Sequence, residues 1–334
     1  MSRAAAPAAA PAAGVCPYRL VHTDREQLAA TSAGHTLGSV VYGAQGATND
    51  PWAHVPLPVL AGAPAELWLG QTLQRGMAGA IRWNAGADLL FAHMNLPESS
   101  LGSMESAVHD AYVALDELLR AEGFPHPLRI WNYLSAINQG DGDAERYRRM
   151  SVGRHRALAR HGGFERTLPA ASTIGTPAGS GLQIHLIAAR SPGLQVENPV
   201  QLSAFRYPRD YGPRSPSFSR AVRVEWDDQA QLLVSGTASI VGHESRHAGD
   251  LEAQLEQTLA NLQTLCAHAA RPGETSRSLS GKVYLRHAQD LPLIAQKLER
   301  TFAGAPVQVL QGDICRRELL VEIEAIYSME RTPA

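Results

Sequence analysis

Apolar and polar residues alternate along the chain in two periods, and these periods predict an ordered series of strands and helices. The first half predicts strands at 36–42, 55–60, 66–69 and 89–94, a helix at 104–122, a strand at 128–138, a helix at 145–161, and closing strands at 172–175 and 182–189. The second half predicts strand 232–241, helix 250–268, strand 282–287, helix 291–302 and strands 307–310 and 319–327. The two halves therefore repeat one order of elements.

This repeat predicts a duplicated α/β (α+β) fold in which mixed sheets are each packed by helices. The two series align when Leu90 is matched with Leu233 and Ile184 with Glu322, because the two residues of each pair are nearly the same number of positions apart. Two unrelated units could share this order too, because strand–helix–strand arrangements are common. Both interpretations place two units of ordinary domain size in one chain.

The N-terminal segment, 1–14, consists mostly of Ala and Pro and lacks the apolar stretch of a signal peptide. We expect this segment to be a disordered tail. The repeat then predicts an N-terminal unit over 15–195 and a C-terminal unit over 196–334. No run approaches about 18 consecutive apolar residues, so no membrane-spanning segment is predicted.

The last predicted strand, 319–327, carries two carboxylates on one face. Alternation places Glu322 and Glu324 together with Leu320 and Ile326, opposite a fully apolar face. A half-buried strand often turns such a mixed face to water. The matching strand of the first half reads QIHLIAA, so only the second half carries the acids.

The strand ending in SGTAS, the amphipathic helix after it and the closing VEIEA resemble the RidA/YjgF family. That resemblance implies active sites at the edges of α/β units, in which the first Glu of the last motif activates water or moves protons. By position this residue is Glu322. Glu324 is then its structural partner.

The connector between the halves, 201–221, is rich in Pro and carries Tyr207, Tyr211, Arg214 and Arg220 close together. A rigid crossover loop would explain the prolines. The tyrosine hydroxyls and guanidinium groups are also the groups that orient a small carboxylate. The segment is therefore a candidate binding element.

The connector sequence YPRDYGPRSPSFSR and the closing GDICRRELLVEIEA together resemble the chorismatases, over nearly the whole chain. This resemblance implies cleavage of chorismate to pyruvate and a ring acid. It assigns substrate binding to the pairs Tyr147/Arg154 and Tyr207/Arg220, and the catalytic acid to Glu322. For the first pair, a solvated basic helix face is the alternative, because further arginines surround it.

Two positions in the chorismatase pattern bear on the product. Cys315 matches a cysteine of the types that form hydroxybenzoate, and the resemblance makes it a second catalytic candidate, although an isolated Cys is often simply buried. Ala238, with Gly236 in the same SGTAS segment, resembles the hydrolytic type that leaves a dihydroxycyclohexadiene carboxylate. We favour the bifunctional 3-/4-hydroxybenzoate synthase type.

The residue types suit this chemistry. Chorismate is a dianion, and Arg154 and Arg220 would supply one cation for each carboxylate. Protonation of the enolpyruvyl ether by Glu322 requires that burial or a nearby anion raise the pKa of that acid.

Composition and further motifs narrow the remaining functions. A net charge of −2 favours neither nucleic acid nor an anionic membrane, and three separated cysteines fit a reducing cytoplasm. His243, Glu244 and His247 could ligate a metal, but their loop lacks the helical HExxH frame, so no metal or organic cofactor is expected. We expect a monomer or a homotrimer acting on a small molecule. The remaining alternatives are an imine or enamine deaminase and a non-catalytic acid-binding protein.

Overall fold

The computed structural model describes residues 16–31, 33–43, 53–227 and 229–331. The tail expected over 1–14 lies outside these residues. No helix in the described ranges is both long and apolar enough to cross a membrane.

The strands and helices are named in chain order. The strands are β1 (Arg19–Thr23), β2 (Thr36–Tyr42), β3 (Ala53–Val55), β4 (Val59–Ala61), β5 (Ala65–Leu69), β6 (Gln74–Ala78), β7 (Ile81–Ala85), β8 (Leu89–Leu96), β9 (His126–Ser135), β10 (Ala170–Thr176), β11 (Leu182–Ala189), β12 (Leu194–Val196), β13 (Ala221–Glu225), β14 (Ala230–Ala238), β15 (Ile240–Val241), β16 (Glu244–Ser245), β17 (Glu274–Leu285), β18 (Val307–Gln311), β19 (Asp313–Ile314) and β20 (Val321–Arg331). The α-helices are α1 (Arg25–Ala30), α2 (Met104–Ala121), α3 (Arg146–Leu158), α4 (Leu251–Ala269) and α5 (Leu291–Phe302).

Two seven-stranded mixed sheets with the same topology form the centre of the fold. The first sheet has the order β6-β7-β8-β11-β9-β10-β19, and the second has the order β12-β13-β14-β20-β17-β18-β4. In each sheet, three antiparallel strands lie on one side of the closing strand, which is β11 in the first sheet and β20 in the second. On its other side, the closing strand pairs with the first strand of a parallel pair, β9/β10 or β17/β18. The shared order confirms the predicted repeat of one series of elements, whereas the origin of that repeat in a duplication stays a prediction. The division of the chain at residue 195 stays a prediction.

Each sheet takes one edge strand from the other half of the chain. β4 pairs with β18 in the second sheet, and β19 pairs with β10 in the first sheet. The predicted single strand over 55–60 is therefore wrong, because β3 ends at Val55 in a separate four-stranded sheet and β4 begins at Val59. Pro56 and Pro58 lie around this break, and neither has an N–H to donate to a strand ladder.

Helices cover the outer face of each sheet. The apolar side of α2, with Ala111, Leu115 and Leu118, packs on the first sheet, and that of α4, with Leu255 and Leu259, packs on the second. Each fully buried Leu contributes about 1.5–3 kcal/mol relative to an exposed one. These two cores hold the helices on the outer faces of the sheets, and the inner faces of the two sheets pack against each other.

The closing strand β20 has the predicted alternation. Val321, Ile323 and Ala325 lie in the core beneath α4 and α5, whereas Glu322 and Glu324 are buried on the opposite side. That opposite side faces the first sheet, because the β10 hydroxyl group of Ser172 donates to Glu324. Both carboxylates therefore lie between the sheets and not in water.

The alignment of Ile184 with Glu322 is wrong by one position. Glu322 pairs across the sheet with Tyr284, and Gln183 pairs in the same way with Tyr133. Ile184 points instead into the core beneath α2. A shift of one position moves a strand residue to the other face, so Gln183 is the counterpart of Glu322. The conclusion that only the second half carries the acids is unchanged.

Candidate active site

A cavity of about 300 Å³ opens where β10 of the first sheet approaches β14 and β20 of the second. Its volume lies at the lower end of the range for small-molecule sites. The predicted site residues that line it are Tyr147, Tyr207, Arg220, Ala238, Cys315 and Glu322. Segments far apart in sequence therefore meet at one place.

Glu322 lies on the cavity wall with only 5% of its surface exposed. It pairs with Ala238 of β14, and a Cβ at nearby Gly236 would overlap with its Oε1 atom. Only glycine leaves room for the carboxyl group there. Burial, followed by the negative charge of Glu324, raises the pKa of Glu322 to about 8. This side chain is therefore a protonated acid at neutral pH.

Glu324 has the opposite electrostatic environment. Its carboxylate accepts hydrogen bonds from Arg129 at 2.6 Å, Trp131 Nε1 at 2.7 Å and Ser172 Oγ at 2.6 Å, and Lys282 Nζ lies 3.0 Å away. Burial would raise its pKa, but Lys282 and Arg129 together hold it down, at about 2. Two glutamates two residues apart thus differ in protonation because their partners differ.

A buried ion network extends behind Glu324. Lys282 Nζ also lies 2.8 Å from Glu66 Oε2 on β5, and Tyr42 donates to the same carboxylate at 2.8 Å. Two cations, Arg129 and Lys282, therefore face two carboxylates, Glu66 and Glu324. Sequence analysis missed this network. Its signals were Glu66, Arg129 and Lys282, each a charged residue next to apolar residues within a strand.

The second predicted pair lies together on the cavity wall. Arg220 Nη2 donates to the Tyr207 hydroxyl at 2.7 Å and to the Leu202 carbonyl at 2.9 Å. Its Nε is buried and has no hydrogen-bond partner. A buried guanidinium donor without a partner is costly, so this group is well prepared to receive an anion.

The first predicted pair is split by the structure. Tyr147 lines the cavity, whereas Arg154 lies outside the lining, with 4% of its surface exposed. Arg154 Nη2 donates to the Ser217 carbonyl at 2.5 Å, and its guanidinium carbon lies 5.5 Å from the centroid of the Tyr112 ring. Its Nε is buried without a partner. Arg154 therefore lies outside the cavity, on the same helix as Tyr147, and its direct contact with a ligand stays a prediction.

Cys315 and Ala238 pack together on the wall. β19 brings Cys315 to the cavity through the pairing of Ile314 with Ile174 of β10. Cys315 then packs against a small apolar cluster that contains Ala238 and Leu319. Burial, followed by the nearby charge of Glu322, raises the pKa of the thiol to about 12. At neutral pH Cys315 is a neutral, largely apolar group.

The segment GHESRH forms the turn and the second strand of the short hairpin of β15 and β16 beside the cavity. His243 Nδ1 lies 3.2 Å from the Tyr211 hydroxyl, and Arg246 pairs with Glu244 at 2.8 Å. In the part of the chain that the structure describes, no group of three or more His, Cys, Asp or Glu side chains is arranged to hold a metal ion.

Arg316 is a cavity residue that sequence analysis did not select. Its guanidinium carbon lies 4.1 Å from the centroid of the Tyr211 ring and 5.2 Å from that of Tyr207. The signal for it was its position directly after Cys315 in the closing motif. Ser172 of β10, which holds Glu324, was also missed, because nothing near it in sequence marks the site.

Comparisons with known proteins agree with this arrangement. Residues 66–188 match the family described as Chorismatase FkbO/Hyg5-like, N-terminal. A chorismatase of Streptomyces rapamycinicus is 38% identical over 275 residues, which cover 78% of this chain and 81% of that protein. A 3-hydroxybenzoate synthase of Streptomyces hygroscopicus is 34% identical over 277 residues, with the same coverage of 78% and 81%.

A solved structure extends the similarity to the fold. The crystal structure of a chorismatase matches with a TM-score of 0.81 and 31% identity, covering 92% of this chain and 98% of that one. This chain thus shares its fold of two α+β units with that chorismatase. This chain is a member of the chorismatase family. The resemblance and the fold class predicted from the sequence are confirmed.

Proposed function

We propose that this protein cleaves chorismate into pyruvate and a hydroxybenzoate. The observation that carries the proposal is Glu322, a protonated acid on the wall of a cavity also lined by Arg220 and Tyr207. The names of the similar chorismatase and 3-hydroxybenzoate synthase support the same reaction. A simple imine deaminase would not need this combination of a neutral acid and several cations.

The reaction begins with proton transfer to carbon. Glu322 protonates the methylene carbon of the enolpyruvyl arm, and water adds to the resulting oxocarbenium ion and returns a proton to Glu322. The hemiketal then breaks its bond to the ring oxygen and releases pyruvate, and loss of water from the ring diol leaves the hydroxybenzoate. Chorismate contains the same atoms as pyruvate plus a hydroxybenzoate, so the aromatising route needs neither an oxidant nor net water. The role of the protein is to supply the proton and to hold both carboxylates in place.

The cavity divides these tasks among its walls. Arg220 and Tyr207 bind one carboxylate, and Tyr147 orients the substrate from the first sheet side, with Arg154 behind it. Cys315 and Ala238 shape the apolar space beside the acid and so influence which ring product forms. In this proposal Glu324 remains ionised and does not exchange protons with the substrate.

Incubation of the purified protein with chorismate tests the proposal. We expect release of pyruvate together with 3-hydroxybenzoate, 4-hydroxybenzoate or both, identified by chromatography against standards, and we expect EDTA treatment to leave the rate unchanged. A dihydroxycyclohexadiene carboxylate as the main product would instead favour the hydrolytic type that Ala238 resembles. Unchanged chorismate in the presence of folded protein would contradict the proposal.

The pH dependence of turnover provides a second test. Because the pKa of Glu322 is raised to about 8 and the protonated form donates, kcat/KM should be constant below that pH. Above it, kcat/KM should fall about tenfold per pH unit as the acid ionises. Initial rates between about pH 6 and pH 10 measure this profile. A rate that rises through pH 8 would mean that Glu322 acts as a base.

A further inference from the structure

Arg316 holds its guanidinium group in a fixed position on the cavity wall. Its Nη1 donates to the His243 carbonyl at 2.9 Å and to Ser245 Oγ at 3.0 Å, both on the hairpin of β15 and β16. The planar group also stacks on the Tyr211 ring at 4.1 Å. These contacts leave little freedom to the side chain, so its other terminal nitrogen has a defined direction.

The other terminal nitrogen, Nη2, is buried and has no hydrogen-bond partner. No carboxylate forms an ion pair with Arg316 among the described residues, and the same is true of the buried Arg154 and Arg220, whereas the buried Arg129, Arg223 and Lys282 each have one. A positioned cation with a free donor beside a cavity is a site for an anionic group.

Arg220 and Arg316 occupy different places relative to the acid. The carbonyl of Arg220 accepts a hydrogen bond from Ser235 N at 2.9 Å, and the next residue, Gly236, packs against the carboxyl group of Glu322. Arg316 is anchored to the hairpin instead, on the side of Tyr211. Arg220 is therefore the cation tied to the strand that supports the acid.

The substrate has a matching asymmetry. In chorismate the side-arm carboxylate is bonded to the carbon next to the methylene that receives the proton, whereas the other carboxylate is on the ring carbon meta to the one that bears the side arm. The side-arm carboxylate must then lie near Glu322, within reach of Arg220. The ring carboxylate requires a second cation farther from the acid.

We propose that Arg316 binds the ring carboxylate of chorismate while Arg220 binds the side-arm carboxylate. This assignment rests on the proposed function. It gives each anionic group a guanidinium that lines the cavity, without requiring Arg154 to move through the wall. Tyr207 lies close to both cations, with its ring centroid 5.6 Å from the Arg220 carbon and 5.2 Å from that of Arg316.

The test separates the two carboxylates by using a ligand that carries only one of them. 3-Hydroxybenzoate retains the ring carboxylate and lacks the side arm. Arg316→Gln should raise the dissociation constant for 3-hydroxybenzoate, measured by calorimetry, and the KM for chorismate, each by about 10- to 150-fold. This is the range for a lost hydrogen bond to a charged group. Arg220→Gln should raise the KM for chorismate but change 3-hydroxybenzoate binding less than about twofold.

Three further variants exclude a purely structural effect. Arg316→Lys keeps the charge and should restore part of the lost 3-hydroxybenzoate affinity. Ser245→Ala removes an anchor of Arg316 but not its charge and should lower the affinity for 3-hydroxybenzoate less than Arg316→Gln does, whereas Arg277→Gln, which removes an exposed arginine, should bind 3-hydroxybenzoate as the unsubstituted protein does.

Undiminished 3-hydroxybenzoate binding in Arg316→Gln, or equal losses in Arg220→Gln, would overturn the assignment. Absence of 3-hydroxybenzoate binding to the unsubstituted protein would do so too. Failure of the proposed function has a different signature, namely no consumption of chorismate by the unsubstituted protein.

Discussion

Glu322→Gln is expected to fold normally and to lose about 10²- to 10⁴-fold of its rate of pyruvate release from chorismate. The amide keeps the shape of the side chain beside Gly236 but has no acidic proton to give to the methylene carbon. Gln183 already occupies the equivalent position in the first sheet, which shows that this strand geometry accepts an amide. Turnover is measured alongside circular dichroism to verify folding.

Glu324→Gln is the matched control for this experiment. It changes the same atoms two residues away, at a side chain held by Arg129, Trp131 and Lys282. We expect a smaller loss of turnover and a clear loss of stability. Near-normal turnover in folded Glu322→Gln, or a larger rate loss in folded Glu324→Gln, would mean that Glu322 is not the catalytic acid.

Lys282→Met is expected to lower the free energy of unfolding by about 3–5 kcal/mol. The substitution leaves the carboxylates of Glu66 and Glu324, which lie 2.8 and 3.0 Å from Lys282 Nζ, without their shared cation in a buried region. Urea unfolding at neutral pH measures the change. Methionine fills similar volume, so the loss reports on charge more than on a cavity.

Lys297→Met provides the comparison for that loss. Lys297 pairs with Glu256 on the surface, where 42% and 62% of the two side chains are exposed. Such pairs contribute about 0–1 kcal/mol, so this variant should lose little stability. If the two substitutions lowered stability equally, the buried network would not have the importance assigned to it.

Local patterns predicted much of this molecule because they depend on neighbouring residues. The alternation in β20 indicated that Glu322 and Glu324 share a face, and the spacing of leucines in α4 indicated the helix that packs behind them. The same pattern could not show that this face is buried. Burial depends on β10 and the first sheet, which come from a distant part of the chain.

Contacts between distant segments account for the features that the sequence did not reveal. Arg129 and Lys282 lie in different halves of the chain, yet both contact Glu324. Arg154 shares a helix face with Tyr147, but the packing of that helix decides which of them reaches the cavity. Arg316 acquires its place only through the hairpin of β15 and β16. No local period encodes such relationships.

The exchange of β4 and β19 between the two sheets makes the two halves of the chain depend on each other. β4 completes an edge of the second sheet and β19 completes an edge of the first, so removal of either half would leave the other half's sheet without an edge strand. The half that lacks both acids also supplies Arg129 and Ser172, which hold Glu324. Neither half is therefore expected to form the site by itself.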